Sequence, residues 1–394
     1  MPPRLVPQVC VLVCDSWGVG DAPDAEGYGD AGSDTLAHVA AAVGGLDAPA
    51  LEGLGLGLLT SIQGIVPRAE PGTAHGRATE VSAGKDTTTG HWEMMGILLD
   101  TPFPLYPDGF PPEIIGPFSA EIGRGVLGNV PASGTEIIAE LGEKHLATGD
   151  PIVYTSGDSV FQVATHVDVV PLEQLYAWCE TARGLLVGLN QVGRVIARPF
   201  DGNPGAFVRR PERRDYSVAP PGPTVLDHLV DAGRSVLGIG KIQDIFDHRG
   251  LTGAEYSASN EDGVEQTIAA LRHAEHDLVF TNLVDFDSKY GHRNDPKGYA
   301  KAIEAFDRRL PELREALGDG LLVLTGDHGC DPTTTPTDHS RERTPLLVAG
   351  CTGGPYEIGT RSTFADLGAT VLEALGVSAP LAIGDSFAAA IGLG

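Results

Sequence analysis

Three consecutive threonines, Thr87, Thr88 and Thr89, stand inside the stretch Gly84-Lys85-Asp86-Thr87-Thr88-Thr89-Gly90-His91-Trp92-Glu93-Met94-Met95-Gly96. Threonine is a poor helix former and a good cap, so the stretch reads as a glycine turn running into a helix N-terminus. Unpaired N–H groups and the positive end of the helix dipole favour an anion there, which suits a phosphate or a hydroxyl losing its proton. A plain capped helix has the same pattern. Chemical weight comes from acids and imidazoles elsewhere: Asp15 in Cys14-Asp15-Ser16-Trp17-Gly18, Asp287 and His292 in Asp285-Phe286-Asp287-Ser288-Lys289-Tyr290-Gly291-His292, Asp327 and His328 in Gly326-Asp327-His328-Gly329, and His339 in Thr337-Asp338-His339-Ser340. Oxygen and imidazole ligands without thiolate suit Mn, Zn, Fe or Co, and there are enough of them for two ions. Two ions a few ångströms apart can hold both oxygens of an in-line phosphoryl transfer and lower the pKa of a coordinated hydroxyl. A threonine needs such activation, because its free hydroxyl is barely ionised at neutral pH.

These clusters gain meaning from the elements expected to carry them. Strands are expected at 9–13, 235–239, 277–284, 321–324 and 346–348, with helices at 35–43, 224–232, 263–273, from 297 and at 363–375. Strands alternating with helices imply a doubly wound, mostly parallel sheet, in which functional groups gather beyond the C-terminal strand ends. Asp15, Asp287 and Asp327 all follow such strands. One Asp–His pair in a loop is ordinarily a cap or a surface pair, but three clusters on one expected edge are not. From 297 onward Ala300, Ile303, Phe306 and Leu310 form an apolar stripe. Dense proline at Pro102–Pro112 and again at Pro199–Pro223 brackets further expected elements, including strand-like segments at 152–154, 185–189 and 194–197. We therefore expect an α/β core from 1–98 and 223–394, interrupted by a smaller inserted α/β cap domain at 99–222. His273 and His276 read as surface groups, whereas Lys241, following the strand at 235–239, could meet a phosphate.

The formal charge of −26, from 27 Lys+Arg against 53 Asp+Glu, repels nucleic acid and anionic membranes. It also demands that any phosphate site be made locally positive. Five cysteines without zinc-type spacing, and no apolar run of ~20 residues, point to a soluble protein in a reducing, cytoplasmic setting.

With these residues assembled, the chain resembles the prokaryotic phosphopentomutases of the alkaline phosphatase superfamily. The likeness spans nearly the whole sequence, including Pro131-Ala-Ser-Gly-Thr-Glu-Ile-Ile138, Tyr154-Thr-Ser-Gly-Asp-Ser-Val160 and Arg194-Val-Ile-Ala-Arg-Pro-Phe200 in the insertion. It implies an alkaline phosphatase-like core with two Mn2+ ions and a mobile cap carrying substrate contacts. Asp287, His292 and His339 would hold one ion, and Asp15, Asp327 and His328 the other. Thr87 would be the phosphoryl acceptor, with Thr88 and Thr89 its near neighbours. In the cap, Asp158, Arg194 and Ile196 would hold the sugar and Arg209 its phosphate. Val130 and Gly157 depart from the family's lysine and alanine. The implied reaction interconverts ribose 1-phosphate, or its 2-deoxy analogue, and the 5-phosphate, through a phosphothreonine charged by glucose 1,6-bisphosphate or a similar activator. Small pentose phosphates are the expected partners, with no nucleic acid or membrane, and a monomer is expected. Alternatives are a phosphoglycerate mutase or phosphatase of the same superfamily, and a silent metal- or sugar-phosphate-binding protein.

Overall fold

The computed structural model describes residues 2–156 and 159–393. Gly157 and Asp158 lie outside the described residues. Among the described residues the strands are, in chain order, β1 (Val9–Cys14), β2 (Thr73–Ala78), β3 (Leu127–Pro131), β4 (Ile152–Thr155), β5 (Val160–His166), β6 (Arg194–Asp201), β7 (Val208–Arg209), β8 (Arg214–Ser217), β9 (Val236–Ile239), β10 (Gly253–Glu255), β11 (Leu278–Leu283), β12 (Leu321–Thr325), β13 (Thr344–Ala349) and β14 (Tyr356–Arg361). They divide between two compact units, residues 1–102 with 220–394, and residues 103–219. These limits fall a few residues inside the expected 99 and 222, for a local reason. Leu99 is held in the first unit by the Ala83 N–H donating to its carbonyl (2.8 Å). On the far side, Arg249 donates to the carbonyls of Pro220 (2.7 Å) and Gly222 (3.1 Å).

The first unit contains an eight-stranded sheet in the order β10-β9-β11-β1-β12-β13-β2-β14. β10, β9, β11, β1 and β12 are mutually parallel, and only β13 runs against its neighbours. All six residues of β1 are buried, as an apolar strand covered on both faces must be. On one face Cys10, Leu12 and Cys14 join a core with Leu36, Ile268, Ile303 and Phe306 from the helices Thr35–Val43, Asn260–His273 and Pro296–Leu317. On the other, Phe280 meets the rings of His91 and Phe246. The helix Pro296–Leu317 starts with proline at its first position, capped by Asp295, whose carboxylate accepts from the Gly298 N–H (2.9 Å). Its apolar stripe of Ala300, Ile303, Phe306 and Leu310 is buried, as the periodicity implies.

In the second unit β3-β4-β5-β6-β7 form a sheet, with β8 pairing the other part of β6. The helices Pro112–Ile122 and Leu172–Leu185 cover one face over Phe161, Val163, Val195 and Ala197. The helix Gly134–Thr148 packs on Tyr154, Ala164 and Phe200 of the other. The strand expected at 185–189 is absent from this unit. That segment ends the helix Leu172–Leu185 and makes a short turn, because Arg183 donates to the carbonyls of Leu186 (2.6 Å) and Val192 (2.7 Å) and folds the chain back. No described helix is long and apolar enough to cross a membrane.

Ile303 is fully buried in the larger core. Ile303→Ala should lower the unfolding free energy by about 2–5 kcal/mol. The exposed Lys301→Ala beside it should stay within ~0.5 kcal/mol of wild type. Urea unfolding followed by fluorescence checks the contrast, and equal midpoints for the two variants would refute this account of the core.

Candidate metal centre

Strand direction assembles the site in the first unit. Asp15 follows β1, Asp287 lies in the short turn Phe286–Tyr290 after β11, and Asp327 and His328 follow β12. Because β13 is antiparallel to β12, its N-terminal side arrives at the same edge, and the Gly329–Ser340 bridge brings His339 with it. His292 Nε2 lies 3.4 Å and His339 Nε2 3.5 Å from opposite oxygens of Asp287. His328 Nε2 lies 3.4 Å from Asp15 Oδ1 and 3.5 Å from Asp327 Oδ2. The rings of His328 and His339 approach to 4.1 Å between centroids. Two groups therefore offer ligand atoms within 4.8 Å of one another: Asp287 with His292 and His339, and Asp287 with Asp15 and His328. Asp287 belongs to both.

The helix Thr87–Met94 points its first residue at this cluster, with the Thr87 hydroxyl 3.2 Å from His328 Nε2. The N–H groups of its two neighbours and the Thr89 hydroxyl are otherwise engaged. Asp86 caps the helix by accepting from the N–H groups of Thr88 (3.0 Å) and Thr89 (3.1 Å), and the Thr89 hydroxyl donates to the same carboxylate (2.6 Å). The helix N-terminus is thus not the open anion cradle that the sequence suggests, since an internal carboxylate already occupies two of its donors. Gly90 lets the helix approach the Asp327 loop; a Cβ there would collide with the Asp327 carbonyl.

Two buried residues that sequence reasoning left out of the site orient its carboxylates. Asn282, on β11, donates from Nδ2 to Asp15 Oδ2 (2.9 Å). His91 places Nδ1 2.9 Å from the Thr87 carbonyl and 3.2 Å from Asp327 Oδ2. His91 carried a signal, being one turn beyond Thr87 on the same helix; Asn282 carried none. The Ser16 N–H also donates to Asp327 Oδ1 (3.0 Å), with Ser16 held at φ +71°.

Burial works against charge on Asp287, Asp327 and His328, and mutual attraction overcomes it. Despite burial, the Asp327 and Asp15 carboxylates hold the His328 imidazole well above its usual range. Despite burial, His292 and His339 hold Asp287 below the ordinary carboxylate range, as His328 and His91 do Asp327. Asp15 Oδ1 and Asp287 Oδ1 are nonetheless buried without a hydrogen-bond donor. Orphaned carboxylate oxygens beside imidazole nitrogens are the donor set a divalent cation takes, so these residues fit a metal.

The remaining expected residues lie elsewhere. Lys241 follows β9 at the same sheet edge, with β11 between β9 and β1. Arg194 and Ile196 are on β6 and Arg209 on the exposed β7 of the second unit; Arg194 Nη1 is 3.6 Å from Asp215 Oδ2, and Ile196 is buried. Asp158 is outside the described residues. Arg198 shares the β6 face of Arg194 and Ile196, which their spacing of two would have revealed. Burial and then the nearby Arg213 bring its guanidinium down to about 10.

Fold and ligand groups together define a metalloenzyme, and the family model that matches residues 7–379 is that of the Metalloenzyme superfamily. Sequence relatives narrow this. The phosphopentomutase of Anaeromyxobacter dehalogenans is 58% identical over 386 residues, 98% of this chain and 99% of its own. That of Carboxydothermus hydrogenoformans is 55% identical over 382 residues, 96% and 98% of the two chains. The chain belongs to the phosphopentomutase family and is an enzyme of that type. Among solved structures, a Leishmania mexicana phosphoglycerate mutase at low cobalt concentration has a TM-score of 0.48 at 14% identity, covering 98% of each chain; the assignment rests on the sequence relatives.

Beside the site, the buried Glu342 accepts from the Thr35 N–H (2.9 Å), the Thr35 hydroxyl (2.6 Å) and the Ser340 hydroxyl (2.7 Å), tying the His339 loop to the helix Thr35–Val43. Burial outweighs these donors and raises its carboxyl from the usual 4.5 to about 7. The folded protein thus binds a proton that the unfolded chain releases near pH 4.5, so this contribution is full below that pH and is lost as pH rises to about 7. Glu342→Gln should therefore lose less Tm than wild type between pH 5 and pH 7.5, whatever its absolute Tm. Parallel Tm–pH profiles would refute this.

Proposed function

We propose that this enzyme interconverts α-D-ribose 1-phosphate, or its 2-deoxy analogue, and the corresponding 5-phosphate through phosphorylated Thr87 and a sugar bisphosphate. The observation that carries the assignment of Thr87 is its hydroxyl, 3.2 Å from His328, while the Thr89 hydroxyl is committed to the Asp86 cap. Family membership supports the reaction class. We further propose that Asp287, His292 and His339 form one manganese set and Asp15, Asp327 and His328 the other, with Asp287 within reach of both. Bound there, the ions would lower the pKa of the Thr87 hydroxyl and offset phosphoryl charge, which a chain of net charge −26 needs supplied locally.

In the forward half-reaction the Thr87–phosphorus bond breaks as a sugar hydroxyl forms its own bond to phosphorus, and the hydroxyl's proton is released. The resulting bisphosphate then returns its other phosphoryl group to Thr87, regenerating the charged enzyme. Asn282 and His91 keep the Asp15 and Asp327 carboxylates oriented throughout. Arg194, Ile196, Arg209 and Asp158 of the second unit are proposed to hold sugar and phosphate, with Lys241 as a further phosphate contact. Arg198, on the β6 face of Arg194 and Ile196, is proposed to join them. Glucose 1,6-bisphosphate, or a similar bisphosphate, would charge the residue, and the enzyme is expected to work as a cytoplasmic monomer on small molecules alone.

Metal-stripped protein should regain isomerisation of ribose 5-phosphate on addition of manganese and a trace of glucose 1,6-bisphosphate, with a mass gain of one phosphate. Thr87→Ala should abolish both the gain and the turnover. Label retained in that variant would move the acceptor to a neighbour. Inorganic phosphate released without isomer would make the enzyme a phosphatase.

A further inference from the structure

The segment 79–86 leads from β2 into the helix that starts at Thr87 without regular secondary structure. Such a segment takes its shape from whatever its peptide groups bond to. Here two buried side chains bond to them from different elements. Arg341, 1% exposed and two residues beyond His339, donates from Nη1 to the carbonyls of Ser82 (2.8 Å) and Gly84 (2.5 Å) and from Nη2 to that of Glu80 (2.9 Å). Glu93, on the helix itself, accepts from the N–H groups of Val81 (3.0 Å) and Ser82 (2.6 Å), and from the Thr363 hydroxyl (2.8 Å) and Phe364 N–H (3.0 Å). Carbonyls at 80, 82 and 84 are thus held by the loop that carries His339. N–H groups at 81 and 82 are held by the helix that carries Thr87.

Further hydrogen bonds keep this arrangement in place. Arg341 pairs with the buried Glu80 (2.6 Å) and with Asp24 (3.0 Å), and its own N–H donates to Asp30 (2.8 Å). Lys85 Nζ bonds the same Asp30 (3.0 Å), closing the tie between the two loops.

We propose that Arg341 and Glu93 are positioning residues that fix the Thr87 hydroxyl against the metal-binding loop; this rests on Thr87 being the phosphoryl acceptor. The planar fork of a guanidinium can serve several carbonyls in one plane, which an ammonium cannot. Arg341→Lys keeps the charge opposite Glu80 and Asp24, so no buried carboxylate is left unpaired, but it gives up the fork. Glu93→Gln keeps the size of the side chain and turns an NH2 group toward donors it must accept from.

The test uses the full chain loaded with manganese, with glucose 1,6-bisphosphate as phosphoryl donor and label located by peptide mass. We expect Arg341→Lys to keep wild-type manganese affinity and KM for ribose 5-phosphate, while Thr87 labelling and kcat both fall about 100-fold, as for an Å-scale misplacement of a reacting group. Glu93→Gln should show the same split. Wild-type labelling rates in a folded Arg341→Lys overturn the proposal alone. So does a parallel loss of manganese affinity, which would mean that Arg341 acts through His339. Should Arg341→Lys fail to fold, Glu93→Gln decides, and failure of both to fold assigns the pair to the fold and overturns the proposal. No label on wild-type Thr87 overturns the acceptor assignment, and the proposal with it.

Discussion

Three buried carboxylates, Asp15, Asp287 and Asp327, are held close together at one edge of a sheet, and like charges so placed repel. Water would let them separate. The fold denies them that, because each is anchored next to a parallel strand whose neighbours fix its register: Leu12 opposite Leu324 on one side of β1 and opposite Thr281 on the other. What faces them is imidazole: His292, His328 and His339 each place Nε2 3.4–3.5 Å from a carboxylate oxygen. The orphaned oxygens that remain show why a cation belongs there.

The same electrostatic logic explains how the helix Thr87–Met94 is treated. Its N-terminus carries partial positive charge, and an incoming phosphate would compete for it. Asp86 satisfies those donors internally, so charge at the site has to come from elsewhere. The surrounding loops are correspondingly expensive in buried polar groups, and Glu93 and Arg341 satisfy several of them. Glu93 alone meets four donors, and the Arg341 guanidinium meets carbonyls and carboxylates of two segments, at Asp24 and at 80–84. A loop built this way is rigid without helix or strand.

Away from the site, the acidity of the chain is unevenly distributed. The second unit concentrates arginines on and beside β6, with Arg198 and Arg213 near enough to lower the former's basicity.

Much of this was legible in the residues themselves. Periodicity placed the helices Thr35–Val43 and Pro296–Leu317, and apolar runs placed β1, β11 and β12, because local pattern and final environment agree there. Acids and histidines just beyond those runs marked the site for the same reason. β2 escaped notice: Thr73-Ala-His-Gly-Arg-Ala78 has no apolar run and is a strand only because β13 and β14 lie beside it. The segment 185–189 looked like a strand and is a turn, since Arg183 reaches two carbonyls and no partner strand exists among the described residues. Asn282 sits inside Leu278–Leu283 like any strand residue, and Arg341 reads as one charge among many; their roles arise from contacts across 267 residues to Asp15 and 257 to Gly84. Sequence by itself determined the class of fold, the kinds of ligand and the order in which they come, because these follow from residue type and short-range spacing. Which threonine faces the cluster, which carboxylate is shared and which side chains hold them were decided only by tertiary structure, because each depends on where a distant strand or loop delivers its donors.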